Sequence, residues 1–337
     1  MREQDLYQNV VITSRIRVAR NVKGISFALN KDLAKREDLI SKVAVALMPL
    51  GKYKVYKISA LSEVDSKVMF GKHLISKDLI NNKQSGAVII RNDEKVSVMV
   101  NEEDHIREQC ILPGMQLDKA FSLINEIDDE LSSKLDFAYS DKYGYLTSCV
   151  TNVGTGLRAS VMLFLPALTL QSEIDGIINA VKSKGLTVRG VTGEGSASLG
   201  YMYQVSNAIS IGISEREIIS MVNSAVTRIC ELEQVARKKI LETNPEYVTD
   251  LSWRAYGILT NCYTIDYEEF MKLAGEVKLG IALGLIVLTD NSFIDKLIDY
   301  CSDSAIIKLC GKNLSDEEIG QFRAGYLYKN LKNFRIK

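Results

Sequence analysis

Histidine and proline are scarce in this chain, with two and four residues among 337, and tryptophan occurs once. The six cysteines (Cys110, Cys149, Cys230, Cys262, Cys301 and Cys310) show no paired ligand spacing, and two histidines are too few to complete a set. A structural zinc site is therefore not expected. Net charge is missing as well: 42 basic side chains balance 42 acidic ones, so no global field draws the chain onto nucleic acid or a membrane surface. Any anion binding must be local. The longest apolar run, Leu279 to Leu288, contains two glycines and falls well short of the roughly 20 residues that span a bilayer. With no signal peptide in view, a soluble, reduced, cytoplasmic protein is expected.

What is present suits a globular chain of two domains, 46% hydrophobic and 25% charged. The most informative stretch runs from Tyr143 to Ser160. An apolar and aromatic lead reaches Cys149, which has hydroxyls at Ser148 and Thr151 beside it, then a loop with Gly154 and Gly156, then Arg158. The segment from about Leu157 to just before Pro166 reads as a helix. A loop that opens a helix holds phosphate well, because free backbone N–H groups and the helix dipole both face the anion. No Lys follows the second glycine, so positive charge must come from Arg158 and from elsewhere.

The N-terminal half reads as strand-rich. In Val11 to Val18 a strand puts Ile12, Ile16 and Val18 on one face and Arg15 with Arg17 on the other. A helix is expected over about 31–49, a strand over Lys54 to Ile58, and a hairpin from Gly86–Arg91 and Lys95–Val100 around Asn92-Asp93-Glu94. If the extended chain continues, Glu103, His105 and Arg107 share a face. Helical spacing returns over Gln116 to Leu135 and Ser172 to Lys184, and strands over Leu186 to Val191 and Tyr201 to Ile211 bracket the loop Thr192-Gly193-Glu194-Gly195-Ser196. Ser214 to Glu217 is a capping box, and Ile218, Val222, Ala225, Ile229, Leu232 and Ala236 follow as the narrow seam of a long helix, read as docking on its own sheet in preference to a dimer seam. Beyond about 245 little strand signal remains. Further capping boxes at Asp266 to Glu269 and Ser315 to Glu318 point to a small all-helical second domain.

Five arginines (Arg15, Arg17, Arg107, Arg158 and Arg189) converging on one loop would clamp a triphosphate, since guanidinium is always charged and bonds phosphate oxygens in pairs. Phosphoryl transfer needs this kind of positioning and charge neutralisation. Glu103 and Glu194 would repel ATP unless they face a cationic acceptor. A guanidinium satisfies that condition, because a carboxylate must orient it and draw off a proton before nitrogen attacks phosphorus. Cys149 reads three ways: a thiolate stabilised beside that cation, a covalent nucleophile, or a buried structural thiol.

These residues carry a resemblance. Ser14-Arg15-Ile16-Arg17, Asn101 to Arg107, Cys149 to Gly156 and Arg189 to Gly195 are similar, in order, to signatures of the ATP:guanidino phosphotransferase (phosphagen kinase) family. Only thirteen residues precede Ser14, and helical sequence follows the catalytic part, so the chain looks most like the bacterial branch acting on arginine in proteins. The resemblance implies an α+β fold: an antiparallel β-sheet flanked by helices over 1–243, followed by an all-α domain over 244–337 used for dimerisation and regulation. It implies nucleotide contacts at Ser14, Arg15, Ile16, Arg17, Val18, His73, Arg107, Arg158, Ala159, Ser160, Val161, Met162, Arg189, Gly190, Val191, Thr192, Gly193 and Glu194. Glu103 and Glu194 match the carboxylates that handle the guanidinium, and Cys149 the supporting thiol.

The implied cofactors are ATP and Mg2+ held mainly by the nucleotide, with no protein metal ligands. Implied partners are protein substrates with exposed arginine, a second copy in a homodimer, a zinc-finger activator protein and a Clp-type unfoldase and protease in stress regulation; neither nucleic acid nor membrane is implied. Two departures stand out. Val150 replaces a proline common in relatives, and Ile319 to Ala324 lacks the first Arg and the Asp of an Arg-Asp-x-x-Arg-Ala element that binds phosphoarginine. Rival readings are a kinase for free arginine or another small guanidino compound, and a non-catalytic, nucleotide-responsive adaptor.

Overall fold

The structure, a computed structural model, describes residues 6–28, 31–190, 198–287, 293–311, 314–331 and 335–336. Its centre is an eight-stranded antiparallel sheet made of β1 (Val11–Arg20), β2 (Tyr53–Lys57), β3 (Ala87–Arg91), β4 (Val96–Val100), β5 (Ile106–Pro113), β8 (Leu157–Phe164), β9 (Leu186–Gly190) and β10 (Met202–Asn207), in the order β2-β3-β4-β5-β1-β8-β10-β9. The short β6 (Tyr139–Ser140) and β7 (Gly144–Tyr145) pair separately, as do β11 (Ile286–Val287) and β12 (Arg335–Ile336) in the otherwise helical C-terminal part.

Alternation along the strands gives the sheet two unlike faces. Ile16 and Val18 of β1, Val98 of β4, Cys110 of β5, Ala159 and Val161 of β8 and Val205 of β10 are buried on one face. Against them pack the helices Leu33–Leu47, Leu117–Lys134 and Glu215–Thr243, through side chains such as Val43, Ile124, Leu131, Val222 and Ile229. The long helix begins with the expected capping box, in which Ser214 and Glu217 satisfy each other's backbone N–H groups, and its seam is spent on this sheet.

The opposite face is covered only in part. At the β2–β4 end, Ile58, Leu74, Ile75 and Leu79 close over Val88, Ile90 and Met99. Near the far end of β8, Phe164 and Met202 pack with Val248 and Leu279 of the C-terminal helices, and a bulge between Val11 and Thr13 lets Ile12 join them instead of facing with Ile16. Between these covers the middle of β5, β1, β8 and β10 forms a polar strip. A further core, including Leu259, Phe270, Val277, Leu297 and Leu327, holds the C-terminal helices together.

In that helical region Arg323 is 1% exposed. Its Nε donates to the Cys301 carbonyl at 2.7 Å, its Nη1 to the Ile265 carbonyl at 2.7 Å, and its Nη2 to the Asp303 carboxylate. The one arginine left in the altered Ile319–Ala324 element is thus committed to its own fold.

Candidate active site

The strip is cationic because of register. Arg17 sits opposite Gln109 on β5 and Arg158 on β8, Arg15 opposite Ile111 and Ser160, Ala19 opposite Arg107, and Gln204 of β10 opposite both Met162 and Arg189. Directly paired residues in an antiparallel sheet share a face. Arg15, Arg17, Arg107, Arg158 and Arg189 therefore project from one side of the sheet, with Ser160 and Ser206 between them. Arg158 donates through Nη2 to Ser206 Oγ at 3.0 Å.

Crowding like charges has an electrostatic cost. Burial, followed by repulsion from Arg107 and Arg158, lowers the Arg15 pKa to about 10, and burial with repulsion from Arg15, Arg107 and Arg158 also holds Arg17 well below the ordinary guanidinium value. The buried Nε of Arg17 has no hydrogen-bond partner among the described residues. A phosphate oxygen would relieve both conditions, since it supplies an acceptor and negative charge together. Arg107 is different: both Glu102 oxygens accept from its Nη1, at 2.8 and 2.7 Å, and although burial opposes it this pairing raises the Arg107 pKa. His73 lies at the accessible edge of the strip, where surrounding protein mass and then Arg15 and Arg17 push its pKa down, favouring neutral imidazole.

Beside the arginines lies an acidic loop. The chain does not stay extended through 101–105; Asn101 takes a left-handed conformation (φ 59°), and β5 begins only at Ile106. The expected line of Glu103, His105 and Arg107 is therefore broken. His105 turns inward, 1% exposed; its Nδ1 accepts from the Val22 N–H at 3.0 Å, so Nε2 carries the proton and donates to the Ser26 carbonyl at 3.0 Å. Glu103 remains half-buried, and its pKa is raised by burial and by Asp104, with Arg107 opposing.

Asp104 joins this loop to the cysteine loop. Its Oδ1 accepts from the Ser148 N–H and from Asn21 Nδ2, each at 2.7 Å. One residue on, the Cys149 Sγ lies 3.0 Å from Thr151 Oγ1, in keeping with a thiol set among hydroxyls.

The cysteine loop does not open a helix. Residues 157–164 are strand β8 rather than a helix, so no helix dipole points at the loop. Ala159, Met162 and Leu163 are good helix formers, but flanking strands on both sides impose the pleat. The glycines serve backbone packing: a Cβ on Gly154 (φ 112°) would meet the Ser210 carbonyl oxygen at 2.1 Å, and one on Gly156 (φ 66°) would meet the Ala19 carbonyl oxygen and Arg20 Nη1 at 2.6 Å. Val150 is 84% exposed at the start of a single 3₁₀ turn.

Not every expected nucleotide contact faces the strip. Ile16, Val18, Ala159 and Val161 point into the core, and Ser14 is buried, donating to the Gly114 carbonyl at 2.8 Å and accepting from the Gln116 N–H at 2.9 Å. Arg15, Arg17, His73, Arg107, Arg158, Ser160 and Met162 lie on or beside it, and Arg189 and Gly190 end the edge strand β9. Val191, Thr192, Gly193 and Glu194 lie outside the described residues. Sequence reasoning missed Glu102, Asp104 and Gln109, although continuing the alternation back from Ile111 through Arg107 would have found Gln109. It also missed Arg20, buried between Asp128, at 2.7 Å, and the Tyr145 ring, 3.5 Å from its centroid.

Comparison with known proteins gives the family. The profile "ATP:guanido phosphotransferase, C-terminal catalytic domain" matches residues 37–236, and "Protein-arginine kinase McsB C-terminal domain" matches residues 245–337. A protein-arginine kinase of Pelotomaculum thermopropionicum is 41% identical over 335 residues, covering 97% of this chain and 94% of its own. One from Bacillus licheniformis is 38% identical over 340 residues, with 98% and 93% covered. Among solved structures, a lombricine kinase superposes with a TM-score of 0.59 at 24% identity over 68% of each chain. The duplicated taurocyamine kinase of Schistosoma mansoni reaches 0.62 at 22% identity, over 86% of this chain and 48% of its own, which supports the shared fold. By matched profile and by near-full-length relatives, this chain belongs to the ATP:guanido phosphotransferase family, in its protein-arginine kinase branch.

Proposed function

We propose that this chain transfers the γ-phosphoryl group of ATP to the guanidinium of arginine residues in proteins. The observation that carries the reading is the cationic strip of Arg15, Arg17, Arg107, Arg158 and Arg189 with the half-buried carboxyl of Glu103 at its side. One region suits polyphosphate and its neighbour suits a cation, the pairing that a guanidino acceptor requires.

In this mechanism the arginines bind and align the phosphates, with the unpartnered Arg17 Nε and the Arg15 guanidinium facing the nucleotide. Glu103, together with Glu194, orients the acceptor and takes a proton from it, so that a guanidinium nitrogen forms the N–P bond as the bond from the γ-phosphorus to the bridging oxygen breaks and ADP leaves. Cys149 supports the positive charge of the acceptor and forms no bond to phosphorus. Mg2+ would be held by the ATP phosphates and water, and would supply neutralisation of the charge on the transferring group.

The helical residues 244–337, with their own core, form a second domain after 1–243 and serve dimerisation. A zinc-finger activator, delivery of marked clients to a Clp-type protease under stress, and a cytoplasmic setting complete the proposal. Among the described residues no helix is long and apolar enough to cross a membrane. Incubation with labelled Mg-ATP and a protein mixture tests it: mass spectrometry should find acid-labile, base-stable phosphate on arginine, lost in Glu103→Ala. Equal labelling by that variant would sink the mechanism, and turnover of free arginine alone would favour a small-substrate kinase.

A further inference from the structure

The arginines of the strip repel one another, and each needs a partner that holds its plane toward the nucleotide. Arg107 is held by Glu102, a carboxylate that also cancels its charge. Arg15 is held by Gln109: its Nε donates to Gln109 Oε1 at 2.7 Å, and its Nη2 donates to the same oxygen. Gln109 is 1% exposed and uses its other end fully, with Nε2 donating to the His73 carbonyl at 2.6 Å and to Ser97 Oγ at 3.2 Å. His73 is a non-glycine residue in the left-handed region (φ 59°), so the same amide also pins the corner that carries the imidazole.

From this geometry we infer that Gln109 is a positioning residue for the nucleotide site, orienting Arg15 and the His73 corner while leaving the Arg15 charge available to phosphate. A neutral amide suits that task better than a carboxylate. A carboxylate would hold Arg15 but has no N–H to give the His73 carbonyl, and it would compete with phosphate for the guanidinium. The rest of the guanidinium stays open to the strip because one acceptor atom takes both of its donors. The inference rests on the nucleotide reading of the cationic face and adds to it a residue that touches neither substrate.

The test compares the full-length wild-type chain with Gln109→Met, which keeps length and loses every hydrogen bond, and Gln109→Glu, which keeps the acceptor and adds charge. Calorimetric titration with Mg-ATP and steady-state kinetics with varied ATP and varied arginine substrate provide the readouts. Loss of the paired hydrogen bonds from the Arg15 guanidinium should raise KM for ATP about tenfold or more in the Met variant. The Glu variant is expected to show a larger rise, and both keep KM for the arginine substrate within about twofold, a split that a general loss of structure would not give. If Gln109→Met fails to fold, Gln109→Asn carries the test, because it keeps an amide with donor and acceptor but is one methylene too short to hold Arg15 and the His73 carbonyl together, and the same rise in KM for ATP is expected. Wild-type affinity for ATP in the folded variants, or equal rises in both KM values, would overturn the inference alone. Absence of ATP binding by the wild-type chain would overturn the kinase reading and this inference with it.

Discussion

The Ser148 N–H donates to the Asp104 carboxylate at 2.7 Å, and this bond fastens the loop carrying Glu103 to the loop carrying Cys149. Asn21 Nδ2 reaches the same oxygen at 2.7 Å, and Asn21 Oδ1 accepts from the His105 N–H at 2.8 Å, so Asn21, just past the end of β1, braces both loops. Asp104→Ala should leave two donors unpaired and let the carboxylate and thiol drift apart. Misplacement on that scale lowers kcat by about 10- to 100-fold while KM for ATP stays near the wild-type value. Steady-state kinetics checks this, and an effect confined to KM for ATP would contradict it.

Glu103 predicts the acid limb of the pH profile. Burial, then Asp104, raises its pKa above the ordinary carboxylate value, and a base is active only when ionised. As pH falls, kcat/KM should therefore decline earlier than an ordinary carboxylate near 4.3 would dictate. A bound guanidinium stabilises the carboxylate, so the matching limb of kcat should lie at lower pH. Profiles of both parameters from about pH 5 to 8 would show the separation, and coincident limbs would count against Glu103 as the base.

Much of this was legible in the sequence, for identifiable reasons. The hairpin β3–β4, the Leu117–Lys134 helix and the capped helix from Glu215 each show a clean period and local punctuation, and each forms within a few residues of expectation. The failure at β8 also has a cause. It is a central strand whose half-exposed positions are Arg158 and Met162, and with buried Ser160 between them the alternation is diluted into an apolar run ending at Pro166. His105 carried no signal that it would serve the core, because its partners are backbone groups more than 75 residues away in sequence. Cross-strand register, which unites Arg17, Arg158 and Gln109 on one face, is a tertiary fact that local periodicity does not encode.

On the core face, Glu108 is fully enclosed beside Asp128 and Arg20; no N–H or hydroxyl donor reaches its carboxyl among the described residues, and its hydrogen-bonding neighbour is the Asp128 carboxyl. Burial, then repulsion from Asp128, raises its pKa well above the ordinary value, with Arg20 opposing. The folded protein thus keeps a proton that the unfolded chain releases, and stability falls as pH rises from the ordinary carboxylate range toward the raised folded value. Glu108→Gln removes that dependence. Its melting temperature should exceed the wild-type value by about 2–4 °C or more at pH 7.5, with a smaller gap at pH 5. A gap independent of pH would show that Glu108 does not titrate in this way.

Arg323 sets the last prediction. All three of its guanidinium nitrogens are occupied inside the C-terminal helical region, two by the carbonyls of Cys301 and Ile265 and one by Asp303. Replacing it with Met strands two acceptors, and with about 1–3 kcal/mol for each buried group left unsatisfied the loss of stability should be about 2–6 kcal/mol. For a phosphoarginine to pair with Arg323, these bonds would first have to break, and Ile319 and Gly320 stand where a second arginine and an aspartate would otherwise assist. Free phosphoarginine should therefore leave the kinase rate unchanged. Chemical denaturation of Arg323→Met and a titration of phosphoarginine into a kinase assay check the two parts separately, and a cooperative rise in rate would mean that this element still receives the modified residue despite its altered sequence.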